Sequence, residues 1–162
     1  MSMLVVGISD LKVALPPDTV ITYALGSCVG ICLLDPVKHV GGLAHIMLPQ
    51  SSLSPRDSNV AKFADTAIPE LIKQMERRGA ARIRLKAKIA GGAQMFDVQG
   101  AGNNPTWQIG QRNVTAVTEA LKRLNIPILA KDVLENYGRT VSFDPSTGIM
   151  SVKAINRPVK DL

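Results

Sequence analysis

The sequence predicts an α+β protein, a layered sandwich of mostly antiparallel sheet with two main helices packed on one face. Short apolar runs rich in β-branched residues fill the first third of the chain, separated by Gly, Pro and Asp. Two later segments carry apolar residues at helical spacing. Strands that come in runs, and not in alternation with helices, are typical of this class. The chain has 162 residues, so we expect residues 1–162 to form one domain.

The strands are predicted wherever a short apolar run is bounded by turn residues. Toward the end of the chain, the turn Asp144–Gly148 has the composition of a tight hairpin turn, and it joins the last two runs. The predicted strands are Met3–Ile8, Leu11–Leu15, Val20–Leu25, Val29–Leu34, Val40–Leu48, Ile126–Val133, Arg139–Phe143 and Ile149–Ile155.

Two helices are predicted from spacing. In the first, apolar residues recur every four positions from Phe63 to Met75, with Ser58 or Asp57 as the N-terminal cap and Gly79 at the end. Pro69 lies inside this pattern and should kink the helix or divide it in two. The second helix is predicted from about Gln111 to Leu124.

Composition excludes several classes of protein. Two cysteines are too few for a disulfide scaffold and indicate a reducing compartment, so we expect a cytoplasmic protein. No apolar run approaches the ~18 residues of a membrane span, and the first residues do not resemble a signal peptide. Aromatic residues make up only 4% of the chain and no nucleic-acid motif is present, so nucleic acid is not an expected partner.

The net charge of +6 is carried by one segment, Arg77–Lys88, which holds six basic residues and no acid. Within it, basic and apolar residues alternate from Arg82 to Lys88, which predicts a strand with one basic face. Such a face is either a solvated surface whose like charges discourage edge pairing, or an attractive surface for an acidic partner.

A zinc site is one interpretation of four residues that lie close together in the sequence, Cys28, Cys32, His39 and His45. On a strand, Cys28 and Cys32 share a face but lie about 13 Å apart. Zinc–sulfur bonds of about 2.3 Å do not bridge that gap, and it exceeds the separation that a disulfide allows. We therefore expect neither a metal nor any other cofactor.

A hairpin offers a different site. The segments Ser27–Leu34 and His39–Leu48 are predicted to pair around the loop Asp35–Lys38, which places Cys28 directly opposite His45. Directly opposed side chains can bring an imidazole nitrogen to a thiol. A slip of one residue would move His45 to the other face, so this prediction depends on the loop length.

The surroundings of Cys28 favour a nucleophile. Gly26 and Ser27 form a corner that can aim backbone N–H groups at a developing oxyanion, and His45 would take the thiol proton. Thr22 on the preceding strand is the candidate to orient the imidazole. The alternatives are a buried structural thiol and a core histidine, which is how we interpret Cys32 and what His45 alone would suggest. From these residues we predict a Cys-His acyl-transfer enzyme of unknown substrate.

The same residues carry a resemblance to the chemoreceptor glutamine deamidase family, CheD. The similarity covers nearly the whole chain in matching order, and it is the set of segments, not any one of them, that is specific. The segments are Thr22–Val29, Gly42–Pro49, Ala87–Phe96, Ile109–Val114, Gly138–Val141 and Asp144–Gly148.

The resemblance implies deamidation of glutamine side chains on the cytoplasmic helices of chemotaxis receptors, together with hydrolysis of glutamyl methyl esters. It implies Cys28, His45 and Thr22 as catalytic residues and an α/β sandwich with a helical layer. It also implies binding to a CheC-type phosphatase, which competes with the receptor and is stimulated in return. Gly91 and Gly92 are interpreted either as a close approach for a substrate helix or as a tight turn.

Two alternatives to this function are open: a non-catalytic regulator that binds receptor or phosphatase helices, and a Cys-dependent amidohydrolase or transglutaminase-like enzyme with another protein substrate. Two departures from the family pattern also stand out. The family usually carries a Gly-Gly pair shortly after the position of Asp132, where this chain has Leu134-Glu135. The segment Asp97–Gln108 is longer than usual, with Trp107 expected to pack on the second helix.

Overall fold

A computed structural model describes residues 1–95 and 108–162, within which the chain forms ten strands and two α-helices. The predicted α+β sandwich is confirmed. The expectations for Trp107 and for residues 97–107 lie outside the described residues. The elements are β1 Met3–Val5, β2 Asp10–Ala14, β3 Thr19–Leu25, β4 Val29–Asp35, β5 Val40–Ile46, α1 Ala64–Arg77, β6 Lys86–Gly91, α2 Ile109–Arg123, β7 Ile128–Val133, β8 Arg139–Asp144, β9 Ile149–Lys153 and β10 Lys160–Asp161.

The strands form two five-stranded sheets. The central sheet has the order β2-β5-β4-β6-β7, and the outer sheet has the order β1-β3-β8-β9-β10. Only the pairs β1–β3 and β6–β7 are parallel; the other described pairs are antiparallel. The short strand β10 was not predicted, because Lys160 and Asp161 carry no apolar pattern.

The central sheet is covered on both faces. Ile31 and Leu33 of β4 point to the side where α1 and α2 pack, whereas Cys32 points to the outer sheet. Because β4 lies in the middle of the central sheet, nearly all its residues are buried and its sequence is a continuous apolar run. The molecule therefore has three layers, and the space between the two sheets receives every second side chain of β4 and β5.

Helix α1 corrects one prediction and refines another. The predicted cap at Ser58 or Asp57 is wrong: α1 begins after Phe63, and Asn59 instead caps a short 3₁₀ turn by accepting a hydrogen bond from the Ala61 amide at 3.0 Å. Pro69 does not divide the helix, because buried side chains on both sides of it hold α1 to the core. Gly79 ends it, with a φ of +108° that favours glycine.

The predicted basic strand over Arg82–Lys88 is wrong in its first half. Arg82–Arg84 is a 3₁₀ turn, and β6 starts only at Lys86. Arg84 pairs with the buried Asp35 at 2.7 Å, and Lys88 donates to two main-chain carbonyls at 2.7 Å. Two of the basic side chains, Arg84 and Lys88, are therefore bound within the fold, and the segment does not form one exposed basic face.

None of the helices in residues 1–95 and 108–162 is long and apolar enough to cross a bilayer.

Candidate active site

The hairpin of β4 and β5 brings Cys28 and His45 to the same face, but not in the predicted register. His45 lies opposite Gly30, and Cys28 precedes Gly30 by two residues just before β4 begins. The prediction that Cys28 lies directly opposite His45 is therefore wrong by two residues along β4. Because the side-chain period of a strand is two, this shift keeps both residues on the face that points to the outer sheet.

The cause of the shift is Asp35. It pairs with Val40 as the last residue of β4, so the loop is 36–39 and not 35–38. Its carboxylate is buried, where it accepts from Arg84 and from the amides of Val37 and Ala81. Burial acts to raise the pKa of Asp35, but these hydrogen bonds outweigh it and hold the pKa well below its usual range. Asp35 is therefore the last residue of the strand, and its oxygens also bind the amides of the turn that follows.

Thr22 comes to the site from the outer sheet. Its Oγ1 lies 2.7 Å from Nδ1 of His45 and also donates to the Val6 carbonyl at 2.7 Å. A hydroxyl has one proton, so Oγ1 accepts from His45 while it donates to Val6. Nδ1 of His45 therefore carries the proton, and Nε2 carries the lone pair. Thr22 sets the imidazole tautomer that a general base needs.

His45 is completely buried, and within the described part of the chain its Nε2 has no hydrogen-bond partner. Burial disfavours the imidazolium and lowers the pKa of His45 to about 4. The ring is consequently neutral at physiological pH. An unpartnered buried nitrogen is costly to the fold and is typical of a group kept for chemistry.

A bulge in β3 shapes the approach to the site. The pairing with β8 is interrupted between Thr22 and Leu25, and Ala24 has a φ of +58°. The extra residue leaves Tyr23 and Ala24 exposed in succession while Thr22 and Leu25 are both buried. The bulge thus keeps Thr22 against His45 and still directs the chain into the Gly26–Cys28 corner.

The three carbonyls of the Gly26–Cys28 corner are all bound. The Gly26 carbonyl accepts from the Ala93 amide and the Cys28 carbonyl from the Gly92 amide, each at 2.8 Å. The Ser27 carbonyl accepts from Nδ2 of Asn113 at 2.9 Å. Within residues 1–95 and 108–162 no other residue accepts from the amides of Ser27 and Cys28, and the Cys28 amide interacts with its own sulfur. The corner therefore has two amides available to a ligand, as an oxyanion hole requires.

Gly91 and Gly92 fit closely beneath this corner. Their φ angles of +111° and +69° favour glycine. A Cβ on Gly91 would lie 2.3 Å from the Cys28 carbonyl oxygen, and one on Gly92 would lie 2.3 Å from the Val114 side chain. Both glycines are buried by this chain's own atoms, so close packing within the protein accounts for the absence of a side chain at these two positions. A contact with substrate stays a prediction.

The two thiols differ in their surroundings. Cys28 is partly exposed, whereas Cys32 is completely buried between the sheets. Burial raises the pKa of both thiols, and in Cys28 its own main-chain amide acts in the opposite direction by stabilising the thiolate. Cys28 therefore rests as a neutral thiol, and its sulfur makes no hydrogen bond with Nε2 of the neutral His45 ring. Among the described residues, no group of three His, Cys, Asp or Glu side chains is arranged to hold a metal ion.

Asn113 and Arg139 were missed by the sequence predictions. Both side chains are buried, and Asn113 contacts the Gly26–Cys28 corner. Arg139 of the outer sheet binds Asp132 of the central sheet at 3.2 Å and the Leu134 carbonyl at 3.0 Å, and so joins the two sheets. For Asn113 a signal was present, since a polar residue takes a position on the apolar face of α2, in step with Gly110 and Val117.

Comparison with known proteins identifies the relatives of this chain. A family model described as CheD chemotactic sensory transduction matches residues 47–154. A protein of Halalkalibacterium halodurans named chemoreceptor glutamine deamidase CheD is 51% identical over 158 residues, 97% of this chain and 96% of the relative. A probable chemoreceptor glutamine deamidase CheD of Lachnoclostridium phytofermentans is 48% identical over 160 residues, 99% of this chain and 98% of the relative. The relatives, unlike the family model, extend across Cys28 and His45.

Proposed function

Since the chain belongs to the CheD family, we propose that it is a protein-glutamine deamidase, an amide hydrolase that converts glutamine side chains of chemotaxis receptors to glutamate. The observation that carries the proposal is the Thr22–His45 contact of 2.7 Å, which leaves an unpartnered lone pair on Nε2 at the face where Cys28 lies. We propose Cys28 as nucleophile, His45 as general base and acid, and Thr22 as the residue that orients His45.

The first half of the reaction releases ammonia. Nε2 of His45 takes the proton of the Cys28 thiol, and the thiolate sulfur attacks the carboxamide carbon of the glutamine. The oxyanion that forms accepts from the amides of the Gly26–Cys28 corner. The imidazolium then gives its proton to the amine nitrogen, the C–N bond breaks, and ammonia leaves a thioester on Cys28.

The second half consumes water. His45 again accepts a proton, this time from a water molecule, and the hydroxide attacks the thioester carbon. The C–S bond breaks, and the proton held by His45 returns to the sulfur, which restores the thiol and releases glutamate. A glutamyl methyl ester would follow the same route with methanol as leaving group, so we include ester hydrolysis in the proposal.

The experiment is to incubate the protein with a purified cytoplasmic receptor fragment, and to measure ammonia release and the mass increase on conversion of an amide to a carboxyl group. Cys28→Ala should abolish both. Cys32→Ala is the matched control, because Cys32 is completely buried, and it should retain activity. Ammonia release by Cys28→Ala at the wild-type rate would contradict the role of Cys28 as nucleophile. No release by the wild type would contradict the deamidase proposal and favour a non-catalytic regulator that binds helices.

A CheC-type phosphatase as partner and a cytoplasmic location are also proposed, and both are supported by family membership. Binding of such a phosphatase to the purified protein, with loss of that binding when excess receptor fragment is added, would support a shared or overlapping site. Stable binding of both partners at once would contradict competition between them.

A further inference from the structure

Asn113 ties together the two strands that carry the proposed chemistry. Its side chain is buried on α2, and Nδ2 donates to the Ser27 carbonyl at 2.9 Å and to the Met47 carbonyl at 3.0 Å. Ser27 directly precedes Cys28, and Met47 follows His45 by two residues. Two carbonyl acceptors require the NH₂ end of the amide, so the orientation of the carboxamide is determined.

This contact also sets the direction of the Cys28 amide. The peptide bond between Ser27 and Cys28 is planar and its C=O and N–H point to opposite sides. Holding the Ser27 carbonyl toward α2 therefore turns the Cys28 N–H away from α2.

The neighbouring anchors do not replace Asn113. The Gly26 and Cys28 carbonyls are held by main-chain amides of residues 93 and 92, which belong to the one segment that directly follows β6. Among the described residues, the Ser27 carbonyl of the peptide between them is bound only by the Asn113 side chain, which also binds the Met47 carbonyl just after β5. Loss of the Nδ2 donor would leave the peptide that supplies the Cys28 amide without its anchor. It would also remove the constraint on the distance between the Gly26–Cys28 corner and β5.

We propose that Asn113 is a positioning residue for the deamidase reaction: it orients the Cys28 amide toward the oxyanion and holds the Cys28 corner at a fixed position relative to His45. The inference rests on the proposed function. A purely structural role would instead make Asn113 one more buried contact of α2, with effects on stability alone.

The test measures the coupling between Asn113 and His45 at the thiol. The rate of alkylation of Cys28 by iodoacetamide, located by peptide fragmentation, is compared with and without His45→Gln in three backgrounds. These are wild type, Asn113→Asp, which keeps the side-chain volume but removes the donor, and Val117→Ala. Val117 is buried on the same helix face and makes the last background a control for weakened packing of α2.

We expect His45→Gln to slow alkylation about tenfold or more in wild type and in Val117→Ala, but to change it less than about twofold in Asn113→Asp. On a receptor fragment, Asn113→Asp should lower kcat about 100-fold with little change in KM, as expected for loss of an oriented oxyanion donor. Asn113→Ala provides a second variant should the aspartate prevent folding.

An equal effect of His45→Gln in all three backgrounds would overturn the inference. So would a kcat for Asn113→Asp equal to that of Val117→Ala. The alkylation experiment needs no substrate, so it decides the role of Asn113 even if the receptor fragment releases no ammonia, in which case only the proposed function fails.

Discussion

The hydroxyl of Thr22 stands between His45 and the main chain, with 2.7 Å to each. Replacing Thr22 with Val keeps the shape but leaves the protonated Nδ1 of His45 buried without an acceptor. The ring is then no longer held in the tautomer that a general base needs, so we expect kcat to fall about 10- to 100-fold. Thr22→Ser keeps the hydroxyl and should retain most of the activity. Ammonia release measures both, and equal rates for the two variants would contradict the role of the hydroxyl.

The pH dependence of the reaction also follows from a single residue. Burial lowers the pKa of His45 to about 4, and protonation of Nε2 removes the general base. We expect kcat/KM to be nearly constant from neutral pH down to pH 5 and to fall only as the pH approaches 4. A profile whose acidic limb has its midpoint near the ordinary histidine value of ~6.5 would show that the imidazole is more solvated than the structure indicates.

At the level of elements, the turn after β7 holds two non-glycine residues in a conformation that favours glycine. Leu134 and Glu135 have φ angles of +68° and +63°, a conformation that glycine adopts without cost. We expect Glu135→Gly to raise the free energy of unfolding by about 0.5–1 kcal/mol, because Glu135 is exposed and little contact is lost. Asn136→Gly is the control: Asn136 does not have a positive φ, so it should gain nothing. Thermal unfolding measures both.

The β4–β5 hairpin shows how far sequence reasoning reaches. Alternation and turn residues identified both strands and the shared face of Cys28 and His45. The register was missed, because Asp35 is paired with Arg84 from a distant part of the chain, and local turn preference does not contain that contact. Asn113 was missed for a similar reason: its two carbonyl partners belong to other elements. The prediction of a basic strand over Arg82–Lys88 was wrong in its first half. A short run of alternating basic and apolar residues does not distinguish one long strand from a 3₁₀ turn followed by a strand.

At the level of the whole molecule, His45 links stability to pH. Its pKa is about 4 in the folded protein and about 6.5 when unfolded, so the unfolded chain binds more protons between these values. Stability is therefore complete above pH 6.5 and decreases as the pH falls toward 4, by on the order of 3 kcal/mol from this group. Denaturant unfolding at pH 7 and pH 4.5 should show a smaller decrease for His45→Gln than for wild type. Equal decreases would contradict the link.

The two sheets share the site: Thr22 comes from the outer sheet, and Cys28 and His45 come from the central one. The partner strand of β3 on one side is β8, which lies near the end of the sequence. During synthesis the thiol and the imidazole therefore leave the ribosome long before the strand that keeps Thr22 in place. We expect a nascent chain to be inert toward amides until β8 has been made and has paired with β3.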